Sequence, residues 1–233
     1  MELKILETKV YLTSTDSLND KALFEVLYNL MPKSRQEKID GYKFDKDKKL
    51  SLAVGALLKY ALADNGYANE PADMEILEKE DGKPFLLSHT DVEFNLSHSG
   101  NMAMCIISSD EVGCDIEQIQ SGKLDIAKRY FLREEASQIE SRVNEVEKDE
   151  AFFRLWTLRE AYNKMDGGGL ALPFDTVGFD ISSEARFIDS LDDGRYSVFE
   201  YRDIPGYACS VCVKNPSARK PELNMVKLAN IGY

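Results

Sequence analysis

Apolar positions along this chain follow two rhythms, a period of two and a spacing of three and four, and the switches between them mark out the elements. Residues 1 to 15 alternate in part (Ile5, Val10, Leu12) and predict an opening strand, whereas 19 to 31 put Leu23, Val26, Leu27 and Leu30 on one helical face. The run KDKKLSLAVGALLKYALA, residues 46 to 63, predicts a buried helix, and DGKPF at 81 to 85 a turn. Alternation returns in VEFNLSHSG, MAMCIISS and EVGCDIEQI, which predict three strands between residues 92 and 119. Residues 121 to 170 are mostly helical in pattern and strongly acidic around 134 to 150. Their last part, FFRLWTLREAYNKMDGGGL (152 to 170), carries a stripe of Phe152, Leu155, Trp156 and Tyr162, then meets Gly167, Gly168 and Gly169, a helix stop with more glycine than a C-cap requires. Strand character resumes in VGFDIS, RYSVFEYR and YACSVCVK before the polar NPSARKPELN.

Strands and helices mix here without the regular alternation of a doubly wound parallel sheet, so the expected class is α+β. A boundary near residue 110 divides the chain into 1–110 and 111–220, followed by a polar tail at 221–233.

At 233 residues, 43% apolar and 30% charged, the chain has the composition of a globular protein with a sizeable core. The first residues lack the apolar core of a secretory signal, and LAVGALL falls far short of the roughly 18 apolar residues of a membrane span. A cytoplasmic protein is expected, with no membrane partner. Four cysteines are too few for a disulfide scaffold, and a strand through Cys209 and Cys212 would send the two thiols to opposite faces, which suits core thiols better than a metal. The net charge of −12 argues against nucleic acid as a partner. Residues 33 to 49 stand apart, with seven Lys or Arg against four Asp or Glu; this is either a solvated helix face or a local site for an anion.

Three stretches carry candidate chemistry. In EVGCDIEQI, strand alternation buries Val112, Cys114 and Ile116 and puts Asp115 and Glu117 together on the other face, where two anions call for a cation; all-oxygen ligation selects a hard one such as Mg²⁺. In FNLSHSG, Phe94 and Leu96 fit a buried strand, and Ser97, His98, Ser99 and Gly100 crowd hydrogen-bonding groups suited to phosphate into the turn expected to follow. On the 152 to 170 helix, Glu160 and Lys164 lie one turn apart beside Trp156, an acid fit for metal ligation or proton abstraction and a cation fit for a leaving phosphate. Taken singly, each also fits a plain structural role: solvated acids on an edge strand, a satisfied histidine, a surface Glu–Lys pair.

Taken in order, GKP (82 to 84), FNLSHSG, VGCDIEQI and FFRLWTLREAYNKMDGGGL resemble the 4'-phosphopantetheinyl transferases, specifically the larger monomeric type that serves peptide and polyketide synthases. The resemblance spans about residues 33 to 175. It implies two similar α+β subdomains about a pseudo-twofold axis with the active site in the cleft between them, and a holo-[acyl-carrier-protein] synthase type of reaction. By similarity, Asp115, Glu117 and Glu160 match the magnesium ligands, and Lys83, Ser97 and His98 match positions that hold the nucleotide phosphates of coenzyme A. Arg35 and Lys38 look like the family's N-terminal contacts to the same 3'-phosphate region. Where the family usually carries an Arg four residues before the helix glycine, here Gly55, this chain has Ser51, with Lys48 and Lys49 just upstream. The implied reaction is attack by a serine of an apo acyl or peptidyl carrier protein on coenzyme A, with Glu160 or a metal-bound water as base and Lys164 assisting departure of 3',5'-ADP. Two rival readings are a Mg²⁺-dependent phosphohydrolase and a non-catalytic coenzyme A or carrier-binding module.

Overall fold

A computed structural model of the chain describes residues 6–80, 82–167, 177–188 and 194–231. It contains β1 (Lys9–Ser14), α1 (Lys21–Asn29), α2 (Lys33–Gly41), α3 (Asp45–Asp64), β2 (Ile76–Glu78), β3 (Pro84–Leu86), β4 (Glu93–Ser99) and β5 (Met102–Ser108). Then follow β6 (Val112–Gln118), α4 (Leu124–Tyr130), α5 (Arg133–Glu140), α6 (Glu145–Asp166), β7 (Phe179–Asp180), β8 (Arg186–Phe187), β9 (Ser197–Glu200), β10 (Tyr207–Val213) and β11 (Glu222–Met225). The class is α+β, as expected. The chain divides into two compact units, one of residues 1–109 with 221–233 and the other of 110–220. Among the described residues no helix is long and apolar enough to cross a membrane.

The first unit is built on a sheet of order β11-β1-β5-β4, antiparallel except for the β11–β1 pair. Strand parity puts Tyr11, Phe94, Ala103, Cys105 and Ile107 on one face, where they form a core with Leu52, Leu57, Leu58, Ala61 and Leu62 of α3. α3 lacks a side-chain cap and instead carries Asp45 and Asp47 in its first turn, where their charge favours the helix dipole. Its far end is fixed to the sheet by Tyr11, whose hydroxyl donates to Asp64 at 2.7 Å and accepts from Asn65 Nδ2 at 2.9 Å. Two expectations are corrected in this unit. The residues read as a polar tail include β11, which pairs with β1 from Lys9↔Glu222 to Leu12↔Met225. The opening strand begins at Lys9, and Ile5 lies outside the described residues, as does Asp81 of the DGKPF turn.

The second unit has the antiparallel sheet β6-β10-β9 and a small β7–β8 pair. α6 begins at Asn144, whose side chain accepts from the Glu147 amide at 3.0 Å, and ends at Gly167 with φ 83°, a left-handed cap that glycine adopts freely. Gly168 and Gly169 lie outside the described residues. Phe152 stacks on Phe131 and on Trp156 with centroids 5.3 and 5.8 Å apart, joining the end of α4 to α6. Beneath the rings lies a fully buried ion pair, in which Arg159 Nε donates to both Glu135 oxygens at 3.2 and 3.1 Å while Glu135 also accepts from the Phe179 amide at 3.0 Å. All four cysteines are buried free thiols, and Cys209 and Cys212 fall on opposite faces of β10, paired with Ile116 and Gly113 respectively.

Candidate functional site

The second unit gathers four of the candidate residues. β6 runs beside β10 with Gly113 opposite Cys212, Asp115 opposite Ser210 and Glu117 opposite Ala208. By parity Gly113, Asp115 and Glu117 share one face, and α6 lies on it: Thr157 and Ser210 join hydroxyl to hydroxyl at 2.8 Å, fully buried. Residues 112–116 are therefore buried on both faces, and the expectation of a buried face opposite an open carboxylate face is corrected. Asp115 is 4% exposed. Lys164 Nζ donates to Asp115 Oδ1 at 2.7 Å and to the Cys114 carbonyl at 3.2 Å. Burial opposes the charge on Lys164, but Asp115, with lesser help from Cys114 and Glu160, outweighs it and holds the ammonium above the usual lysine range. Glu160 is half-buried on the same helix edge; burial first, and then the nearby charges of Asp115 and Glu117, raise its pKa against the opposing pull of Lys164.

Three carboxylates near enough to repel one another form an all-oxygen donor set, and a hard divalent cation such as Mg²⁺ relieves that repulsion. The donor chemistry thus fits the ion. A ready three-acid site, however, is not what the side chains form: among the described residues no three His, Cys, Asp or Glu are arranged to hold a metal, and the cation against Asp115 is Lys164.

In the first unit the candidate residues sit on α2, on β4 and in the turn just before β3. Arg35 and Lys38 are one turn apart on α2, Arg35 half-buried and Lys38 exposed. The Arg35 stem packs over Gly55 of α3, where an added Cβ would meet Arg35 Cγ at 3.6 Å and Met31 Sδ at 2.7 Å; burial there lowers the guanidinium pKa. Lys83 is buried, with Nζ 3.2 Å from Glu93 Oε2, and Lys79 reaches the other oxygen of Glu93 at 3.4 Å. Ser97 and His98 are not in a turn, which is a correction. β4 continues through Ser99, paired with Met102, so Ser97 and His98 point to opposite faces, Ser97 buried and His98 exposed. The turn itself is only Gly100 and Asn101, with Gly100 at φ 60°, the sign that the first position of a type II′ hairpin requires. Ser51 is buried on α3, and its hydroxyl finds no hydrogen-bond partner among the described residues. Lys49 is engaged with Asn19 Oδ1 at 2.7 Å.

Sequence reasoning passed over the groups that hold α6 in place: Gly113, the Thr157–Ser210 pair and the Arg159–Glu135 pair. A glycine inside an otherwise apolar strand is the one available signal, since it marks a close backbone approach.

Comparison with known proteins agrees with the motifs. Residues 111–212 match the family described as the 4'-phosphopantetheinyl transferase superfamily, and residues 19–111 match a 4'-phosphopantetheinyl transferase N-terminal family. A 4'-phosphopantetheinyl transferase of Bacillus subtilis is 32% identical over 165 residues, 70% of this chain and 73% of its own length. One from Bacillus pumilus is 30% identical over 217 residues, covering 90% of this chain and 91% of its own length. The Sfp enzyme of Bacillus subtilis strain 168 is 30% identical over 165 residues, again 70% of this chain and 73% of the relative. With both parts of the chain matched and these relatives aligned over most of their length, the protein belongs to the 4'-phosphopantetheinyl transferase superfamily, among its Sfp-type members.

Proposed function

We propose that this protein transfers the 4'-phosphopantetheine arm of coenzyme A to a serine of an apo acyl or peptidyl carrier protein, in a Mg²⁺-dependent reaction that releases 3',5'-ADP. The observation that carries this reading is the gathering of Asp115, Glu117, Glu160 and Lys164 where α6 crosses β6, in a chain of this family. Asp115, Glu117 and Glu160 would hold the ion, which when bound offsets negative charge on the pyrophosphate.

The remaining work falls to the chain's own groups. Glu160, on the edge of α6 beside Asp115 and Glu117, takes the proton of the carrier serine as its oxygen attacks the β-phosphorus. As the bond to the leaving phosphate breaks, Lys164 places a positive charge beside the departing oxygen. By the family resemblance Arg35, Lys38, Lys83, Ser97 and His98 are assigned to the nucleotide phosphates; Lys38 and His98 are exposed as that role requires, whereas Lys83 would have to exchange Glu93 for phosphate and Ser97 lies on the opposite, buried face of β4. The carrier, acidic in proteins of this kind, meets an enzyme of net charge −12, so docking relies on local apolar and basic surface. The protein acts in the cytoplasm as a monomer.

The test is incubation with coenzyme A, Mg²⁺ and a panel of apo carrier domains, followed by intact-protein mass spectrometry of the carriers. A gain of one phosphopantetheine, lost with chelator or in Glu117→Ala, supports the reading. No gain on any carrier with coenzyme A still bound favours a binding module, and phosphate-ester cleavage without a carrier favours a hydrolase.

A further inference from the structure

We infer that Gly113 is a positioning residue of this site: by carrying no side chain it lets α6 close on β6, and that approach sets Glu160 and Lys164 against Asp115 and Glu117. The inference rests on the transferase reading and its metal site for both arms of the test, while the close approach of α6 to β6 at Gly113 stands on geometry.

Gly113 lies on the face of β6 that α6 covers, two residues before Asp115 and four before Glu117. A Cβ at this position would fall 2.5 Å from the Met165 amide nitrogen, closer still to the Ala161 carbonyl oxygen, and 3.0 Å from Met165 Cβ. The first two obstacles are helix backbone, which cannot swing aside as a side-chain tip can; the helix itself has to move. Ala161 and Met165 each directly follow a candidate residue, Glu160 and Lys164, so a shift of this turn carries both functional groups with it. The Lys164 contacts to Asp115 Oδ1 and the Cys114 carbonyl span the same crossing and report its spacing. Gly122, Gly194 and Gly206 of this unit, glycines with positive φ, have open space where a Cβ would go, in contrast to Gly113.

The test measures Mn²⁺ affinity by electron paramagnetic resonance, together with kcat and KM for coenzyme A, in wild type and Gly113→Ala. Ile139→Ala, a buried α5 position, serves as a control that loosens the same core without wedging the helix. The expected result is a folded Gly113→Ala protein that binds Mn²⁺ at least about tenfold more weakly, with kcat reduced on the order of 100-fold and little change in KM. The Ile139→Ala control keeps wild-type Mn²⁺ affinity. Unchanged Mn²⁺ affinity in Gly113→Ala, or an equal loss in the control, overturns the inference. If Gly113→Ala fails to fold, Cys212→Leu takes its place, since Cys212 lies directly opposite Gly113 and faces the same helix; there too weaker Mn²⁺ binding supports the inference and wild-type binding overturns it. A wild type that neither binds Mn²⁺ nor modifies a carrier would overturn the functional reading and this inference with it. A wild type that does both, beside an unaffected Gly113→Ala, overturns this inference alone.

Discussion

Each unit lays one long helix on its sheet, 20 residues in α3 and 22 in α6, and the two helices are secured by different forces. α3 is buried through nearly its whole middle, Leu50 to Leu58, by apolar and small residues; its buried cation Lys59 snorkels to the Asn69 carbonyl at 2.7 Å. α6 buries Arg154, Thr157 and Arg159 among its apolar residues and gives each a directed partner: Glu200 at 2.7 and 2.8 Å, Ser210 at 2.8 Å, and Glu135. Apolar burial is non-directional and tolerates small slides, whereas bidentate ion pairs and hydroxyl contacts fix rotation and register. The helix that carries Glu160 and Lys164 is held by directed contacts along its buried middle, whereas in α3 the contacts of Tyr11 with Asp64 and Asn65 come at its last turn. A helix that only fills a core does not need such fixing.

The sharpest way to separate the two roles is to alter α6 without loosening it. Glu160→Gln should lower transfer by on the order of 10²–10⁴-fold with the unfolding midpoint unchanged; near-normal turnover in that variant would remove Glu160 from the mechanism. Next comes a break in the directed fastening. Arg159→Ala leaves Glu135 buried without its partner and should destabilise by about 3–5 kcal/mol in urea unfolding, and a loss below about 1 kcal/mol would show that the pair contributes little. In the other helix, Leu57→Ala should cost about 2–5 kcal/mol of stability yet leave Mn²⁺ affinity untouched at temperatures where the protein stays folded. The smallest effect is expected from Ser51→Ala: its hydroxyl finds no hydrogen-bond partner among the described residues, so removal should be neutral or stabilising by up to about 1 kcal/mol. A clear destabilisation there would mean that the hydroxyl has a role the surrounding side chains do not explain.

Most of the elements were readable because their patterns are local. Alternation located β4, β5, β6 and β10, and the spacing of apolar residues located α1 and α3, within a few residues at each end, whereas the stripe read from Phe152 belongs to a helix that begins at Glu145. What escaped depends on partners distant in sequence. β11 is four polar-to-apolar residues with no pattern of its own, and it becomes a strand only beside β1, whose Lys9 pairs with Glu222. The serine and histidine cluster looked like a turn because its side chains favour turns, but Ser97, His98 and Ser99 are held in β4 by pairing with Met104, Ala103 and Met102. Within the site, Asp115, Glu117, Glu160 and Lys164 stood out by residue type and spacing. That Lys164 would lie against Asp115 could not be read from the sequence, because it follows from how closely α6 approaches β6 at Gly113.

The strand β11 also sets an order of events during synthesis. Residues of the first unit leave it at Ser109 and return only at Pro221, so its sheet lacks one edge while the whole of the second unit is being made. Until then β1, with its buried Val10 and Leu12, presents an unpaired border of the kind that recruits strands from neighbouring chains. The second unit, continuous from 110 to 220, is under no such delay and can fold while residues 221–225 are still being translated. Of the two units, the one whose synthesis starts earlier is therefore finished later, and a nascent chain stopped just before Pro221 would leave that border of β1 exposed.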